Sequence, residues 1–171
     1  MNAAPSIRLA TLDDLPEIVA IYNSTVASRL VTADLEPVSV DSRVAWFHEH
    51  RAPERPLWVA VDEAGAIRGW VSLSNFHPRA AYRATAEISV YVHPEARRQG
   101  LGRRLVQHVI DYVNGASSAK VEVLIGLVFG HNAPSLELFT SFGFARWGAL
   151  PEVAELDGKK RDLVFVGKRV A

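Results

Sequence analysis

No cysteine occurs in this chain of 171 residues. That absence removes a disulfide framework, a thiolate metal site and a covalent cysteine intermediate, and it suits a reducing compartment. Net charge is missing too: Lys plus Arg number 19 and Asp plus Glu 19, so no whole-molecule field draws the protein to nucleic acid or to an anionic membrane. No apolar run approaches the ~18 residues of a membrane span, and Met1-Asn-Ala-Ala-Pro-Ser6 lacks the basic and apolar regions of a signal peptide. Repeats, low-complexity tracts and linkers are likewise lacking. These absences leave the expectation of one domain over residues 1–171, with a substantial core, in the cytoplasm, and with neither nucleic acid nor membrane as partner.

What is present alternates between the periods of strand and helix. Ile7-Arg-Leu-Ala10 reads as a strand, and Thr11 to Ser28 as a helix with Leu15, Ile18, Val19 and Tyr22 on one face. A second helix is expected over Asp41 to His50. Leu57 to Val61 and Ile67 to Ser74 read as strands joined by a hairpin at Asp62-Glu-Ala-Gly65. Strands at 85–92 and 121–127 flank a long helix from residue 100, and a short helix starts at 133. Asp157-Gly158 marks a second hairpin within Glu152 to Val170. The order β-α-α-β-β-β-α-β-α-β-β predicts an α/β (α+β mixed) fold, a mixed and mostly antiparallel central sheet with helices on both faces.

The most informative stretch is Val92-His-Pro-Glu-Ala-Arg-Arg-Gln99 running into Gly100-Leu101-Gly102-Arg103. Before it lies Thr85-Ala-Glu-Ile-Ser-Val-Tyr-Val92, rich in β-branched and aromatic residues. After it Leu101, Leu105, Val106, Val109, Ile110 and Val113 recur at helical spacing. At such a strand-turn-helix junction, unpaired backbone N–H groups point outward at the positive end of the helix dipole, and glycines admit an anion close to the main chain. A diphosphate is the fitting guest. A P-loop would need Lys-Ser/Thr where Arg103-Arg104 stand, and a dinucleotide fingerprint would need a small residue where Leu105 stands.

Arg97-Arg98-Gln99-Gly100-Leu101-Gly102 resembles the Arg/Gln-x-x-Gly-x-Gly/Ala signature of the GNAT superfamily of N-acetyltransferases, whose loop holds the diphosphate of acetyl-coenzyme A. Asn132-Ala-Pro-Ser135-Leu-Glu-Leu-Phe139-Thr-Ser-Phe-Gly143-Phe144 resembles the second element of that superfamily. Asn132 can equally cap its helix, with Pro134 in the first turn and Gly143 at the end. Thr85-Ala86-Glu87, Val90-Tyr91-Val92, Asp41-Ser-Arg-Val-Ala-Trp-Phe47 and Ile125-Gly126-Leu127 are similar to the phosphinothricin and methionine sulfoximine N-acetyltransferase branch, over roughly Ile7 to Val166. The resemblance implies a GNAT fold and transfer of acetyl from acetyl-CoA to the amine of a small amino acid or its phosphinate or sulfoximine analogue. It also implies a homodimer paired through the C-terminal half.

Acetyl transfer to an amine needs a held thioester, a place for the amine, removal of its proton and stabilisation of the growing oxyanion. For the cofactor, the resemblance points to the main chain of Val90, Tyr91 and Val92, to the turn Arg97, Arg98, Gln99, Gly100, Leu101, Gly102 and Arg103, and to Asn132 and Ser135. Glu87 is the candidate base, directly or through water, because a free carboxylate near ~4.3 is a weak base until burial raises it. The loop from Phe76 to Arg83 is expected over the acceptor pocket, with Arg79 and Arg83 clamping a carboxylate and Phe76 and Tyr82 as walls. Where relatives carry a Tyr or His acid, this chain has Phe139, which cannot donate a proton. His48-Glu49-His50 is set aside as a metal pair, since residues two apart on a helix do not share a face, and no metal is expected. Two other readings stay open: another amine acceptor (polyamine, aminoglycoside or protein N-terminus), and an acyl-CoA-binding module that has lost turnover.

Overall fold

The computed structural model describes residues 4–115 and 119–170. Its strands are β1 (Ser6–Leu9), β2 (Leu57–Val61), β3 (Ile67–Asn75), β4 (Thr85–Val92), β5 (Val123–Phe129), β6 (Ala145–Leu156) and β7 (Lys159–Arg169). Its helices are α1 (Leu15–Val26), α2 (Val44–Glu49), α3 (Leu101–Gly115) and α4 (Ala133–Thr140). One sheet runs in the order β1-β2-β3-β4-β5-β7-β6. Every neighbouring pair is antiparallel except β4 with β5. The element order and the mixed, mostly antiparallel sheet agree with the expectation from sequence.

Side chains alternate across each strand, so the two faces of the sheet bury separate cores. On one face Val71, Leu73, Ala86 and Ile88 meet the Leu105, Val106 and Val109 stripe of α3. On the other, Leu57, Val59 and Trp70 meet Ile18 and Ile21 of α1. Each such apolar side chain taken fully from water contributes about 1.5–3 kcal/mol. Helix α3 lies close because Gly69 has no side chain: a Cβ there would stand 2.9 Å from the Tyr91 carbonyl and 3.2 Å from Leu101. That contact sets the first turn of α3 beside the end of β4.

Several boundaries differ from the sequence reading. Thr11 caps a single 3-10 turn over Leu12–Asp14, and α1 begins only at Leu15 because Pro16 in its first turn brings no N–H. The predicted helix over Asp41 to His50 is a 3-10 turn, Asp41–Arg43, followed by α2, and His50 is already extended. Strand β5 runs two residues later than expected from 121–127. Strand β6 starts at Ala145 rather than near Glu152, with irregularities at Trp147 and over 151–153 that break its alternation. Both predicted hairpins are present, with positive φ at Gly65, Asp157 and Gly158.

The parallel pairing of β4 with β5 is brief. Thr85, Ala86 and Glu87 pair with Val123, Leu124 and Ile125, and beyond Glu87 the strands part. The bonds Phe76 N–H to Thr85 O (3.5 Å) and His93 N–H to Arg68 O (2.9 Å) fix the phase of the β3–β4 ladder. In that phase Thr85, Glu87, Ser89 and Tyr91 exchange hydrogen bonds with β3, while the N–H and C=O groups of Val90 and Val92 turn into the gap.

Candidate active site

A cavity of about 300 Å³ lies between the sheet and the α1–α2 layer. Its floor is the outward row of β3 and β4: Trp70, Ser72 and Ser74 beside Glu87, Ser89 and Tyr91. Its roof includes Tyr22, Arg43, Trp46 and Glu49. The rings of Trp70 and Tyr91 stack at 4.4 Å between centroids, and Trp46 meets the edge of Trp70 at 5.6 Å.

Glu87 makes no hydrogen bond or ion pair among the described residues, and burial alone holds its carboxyl above the ordinary range. Burial, with Tyr22 and Glu87 nearby, also pushes the Tyr91 hydroxyl well up, so it stays protonated. Arg43 is the guanidinium of the cavity wall. It pairs with Asp34 at 2.9 Å and lies 5.2 Å from the centre of the Tyr22 ring, whose hydroxyl contacts Thr32 and Asp34.

The second part of the site is the turn at the head of α3. Arg98 and Gly100 hold φ of 59° and 79°, and a side chain on Gly100 would meet open space. The amides from Arg98 to Arg103 find no acceptor among the described residues, so the turn presents a row of free donors at the helix dipole's positive end. Gln99 is tied to the Glu95 carbonyl at 2.8 Å and Arg97 reaches the Val92 carbonyl at 3.4 Å. Arg103 bonds the Ser141 hydroxyl at 2.8 Å and stacks on Phe142, fastening α3 to the end of α4. Gly102 completes the junction: a Cβ added there would stand 3.4 Å from Leu138 and 3.8 Å from Val92.

Asn132 is buried and caps α4, its Oδ1 accepting from the Ser135 N–H at 3.2 Å. Phe139 is buried too. Its ring packs on Phe144 at 5.0 Å and over Gly126, where an added Cβ would come within 3.4 Å. Phe139 is therefore an apolar wedge between α4 and β5.

The structure separates some residues that the sequence grouped. Val90 and Val92 turn their main chain into the gap, but the N–H and C=O of Tyr91 face β3, and its ring lines the cavity instead. Phe76, Arg79, Tyr82 and Arg83 do not line that cavity. Phe76 and Tyr82 pack on each other at 5.9 Å, and Arg79 and Arg83 are exposed in the loop between Ser74 and Glu87. Arg43 and Ser74 were not singled out from sequence. Arg43 lies inside the Asp41–Phe47 stretch that resembles the branch, whereas Ser74 carries no local signal.

Residues 18–144 match the model of the acetyltransferase (GNAT) family. A Bacillus subtilis protein provisionally named phosphinothricin acetyltransferase YwnH is 45% identical over 97% of this chain and 99% of its own. The L-methionine sulfoximine/L-methionine sulfone acetyltransferase of Pseudomonas aeruginosa is 35% identical over 94% of this chain and 92% of its own. The crystal structure of a GNAT superfamily phosphinothricin acetyltransferase from Sinorhizobium meliloti in complex with acetyl-CoA superposes with a TM-score of 0.90 at 27% identity, covering 99% of this chain and 90% of that one.

Proposed function

The chain belongs to the acetyltransferase (GNAT) family, and from that membership we propose that it transfers acetyl from acetyl-CoA to the α-amine of a small amino acid or an analogue of the phosphinothricin or methionine sulfoximine type. The observation that carries this reading is a half-buried, unpaired carboxylate, Glu87, facing a small-molecule-sized cavity beside an opened sheet edge. When bound, acetyl-CoA supplies an acyl group activated as a thioester.

The residues of the chain fit that guest. Free amides from Arg98 to Arg103, aided by the Arg98 and Arg103 guanidiniums, receive the diphosphate, and Arg97, Gln99, Gly100, Leu101 and Gly102 shape the turn. Val90 and Val92 offer main-chain donors and acceptors to the amide-bearing arm, and such an N–H stabilises charge growing on the carbonyl oxygen. Asn132 and Ser135 stand at the head of α4, on the far side of the gap. Glu87 takes the proton of the ammonium, directly or through water. Arg43 is the cationic end of the cavity for a substrate carboxylate, with Arg79 and Arg83, in the exposed loop outside its lining, as the second candidates. Phe139 gives no proton. The departing thiol, with a pKa near ~8.5, leaves as thiolate near neutrality.

We further propose that the protein is a cytoplasmic homodimer. The support is an apolar surface on the C-terminal half of the sheet: Leu127, Trp147, Leu150 and Val153 are exposed. No helix among the described residues is long and apolar enough to cross a membrane.

Free-thiol release from acetyl-CoA, measured against phosphinothricin, methionine sulfoximine and sulfone, ordinary amino acids, spermidine and an aminoglycoside, tests the reading. Release with the carboxylate-bearing amines alone is the expected result. Release only with spermidine or the aminoglycoside would move the acceptor class. Tight acetyl-CoA binding without release from any amine would favour the binding module, for which the buried Phe139 is the supporting observation.

A further inference from the structure

Beneath the cavity, a hydrogen-bonded chain fixes the direction in which one hydroxyl points its proton. His50, just past the end of α2, places Nδ1 2.9 Å from the Trp46 carbonyl and Nε2 3.1 Å from the Ser74 hydroxyl. A carbonyl only accepts, so the Nδ1 atom must carry the proton. Burial holds the imidazole below its ordinary pKa, against the Trp46 hydrogen bond and the charge of Glu49, and so keeps it neutral. A neutral ring protonated on Nδ1 has a bare Nε2, and Ser74 must then donate its O–H to that nitrogen.

Ser74 and Glu87 are directly opposed on β3 and β4, and both line the cavity. With its proton committed below, the Ser74 oxygen presents only lone pairs upward. We propose that Ser74 is a specificity-determining residue for the amine, accepting a hydrogen bond from the substrate nitrogen beside Glu87, and that His50 is the positioning residue that keeps this hydroxyl an acceptor. This rests on the acetyltransferase reading above and deepens it.

The direction of the hydroxyl matters in both protonation states of the substrate. An ammonium has three N–H donors, of which Glu87 takes one and Ser74 a second. Once Glu87 has removed a proton, the neutral amine keeps two N–H groups and gains the lone pair that attacks. A hydroxyl free to rotate would donate to that lone pair and mask the nucleophile. One locked as an acceptor holds an N–H and leaves the pair free.

Steady-state kinetics with the best amine of the panel, together with ¹⁵N NMR of the histidine side chains, test the proposal. Ser74→Ala is expected to raise the KM for the amine about tenfold, the usual worth of a hydrogen bond to a charged group, with the KM for acetyl-CoA within about twofold. His50→Phe should lower kcat several-fold in the parent but have no added effect on Ser74→Ala, and His50→Gln, which keeps an acceptor in reach, should restore most of it. In the parent protein His50 should show protonated Nδ1 and unprotonated Nε2, a readout independent of turnover. An Nε2-protonated ring, an unchanged amine KM in Ser74→Ala, or additive effects of the two sites would overturn the proposal while leaving the acetyltransferase reading intact. Absence of turnover by the parent with every amine would overturn both.

Discussion

Glu87 shows a residue whose usefulness and cost have one origin. Burial without a partner raises its pKa, which makes it a better base and also means that its charged form is held in the folded protein at a loss. The folded carboxyl binds its proton more readily than the unfolded one. Its contribution to stability is therefore complete below the unfolded pKa and is lost as pH rises through the raised folded value. Glu87→Gln should accordingly cut kcat/KM at neutral pH by about 10²-fold or more while raising Tm at pH 7, a gain that vanishes at pH 4. Paired kinetics and thermal melts at the two pH values check it, and an unchanged kcat/KM would remove Glu87 from the base role. Glu87 was legible because strand alternation and the Thr85-Ala86-Glu87 resemblance both mark it. Arg43 and Ser74 were not, because they reach the cavity from α2's approach and from β3, and only the folded layers bring them opposite Glu87. The loop arginines show the converse: a guanidinium near the site in sequence need not line the cavity, and both stand exposed in the loop outside it.

At the scale of the element, the head of α3 was the most legible piece of the chain, since glycine placement announces the turn and helical periodicity announces the helix behind it. Its geometry depends on one residue in particular. Gly100 has φ of 79°, a conformation that a β-branched side chain strongly disfavours even where space is open. Gly100→Val should raise the KM for acetyl-CoA about tenfold or more, leave the KM for the amine nearly unchanged, and lower stability by about 1–2 kcal/mol; an unchanged acetyl-CoA KM would displace the cradle from this turn. Strand β6 was the least legible element. The irregular register around Trp147 and Pro151 breaks the period-two pattern that announces a strand, so only its last residues read as one. Trp147 itself lies on Gly167 and is 49% exposed.

For the whole molecule, the sheet is covered unequally. The β1–β4 half has helices on both faces, whereas the outward row of β5, β7 and β6 shows Leu127, Leu150 and Trp147 to solvent. Sequence could mark these residues as apolar but not as uncovered, since that depends on where the helices end. Replacing Leu150 and Val153 together by Glu should convert a dimer of twice 18.8 kDa into a monomer, as read by sedimentation velocity. A parent that already sediments as a monomer would retire the dimer. The same two halves are joined at β4 and β5 by only three paired residues on each strand. The sheet is in effect two stiff plates riveted at one end. An extended chain laid into the open slot would serve as a splint, so that occupancy by one partner stiffens the frame on which the other is received.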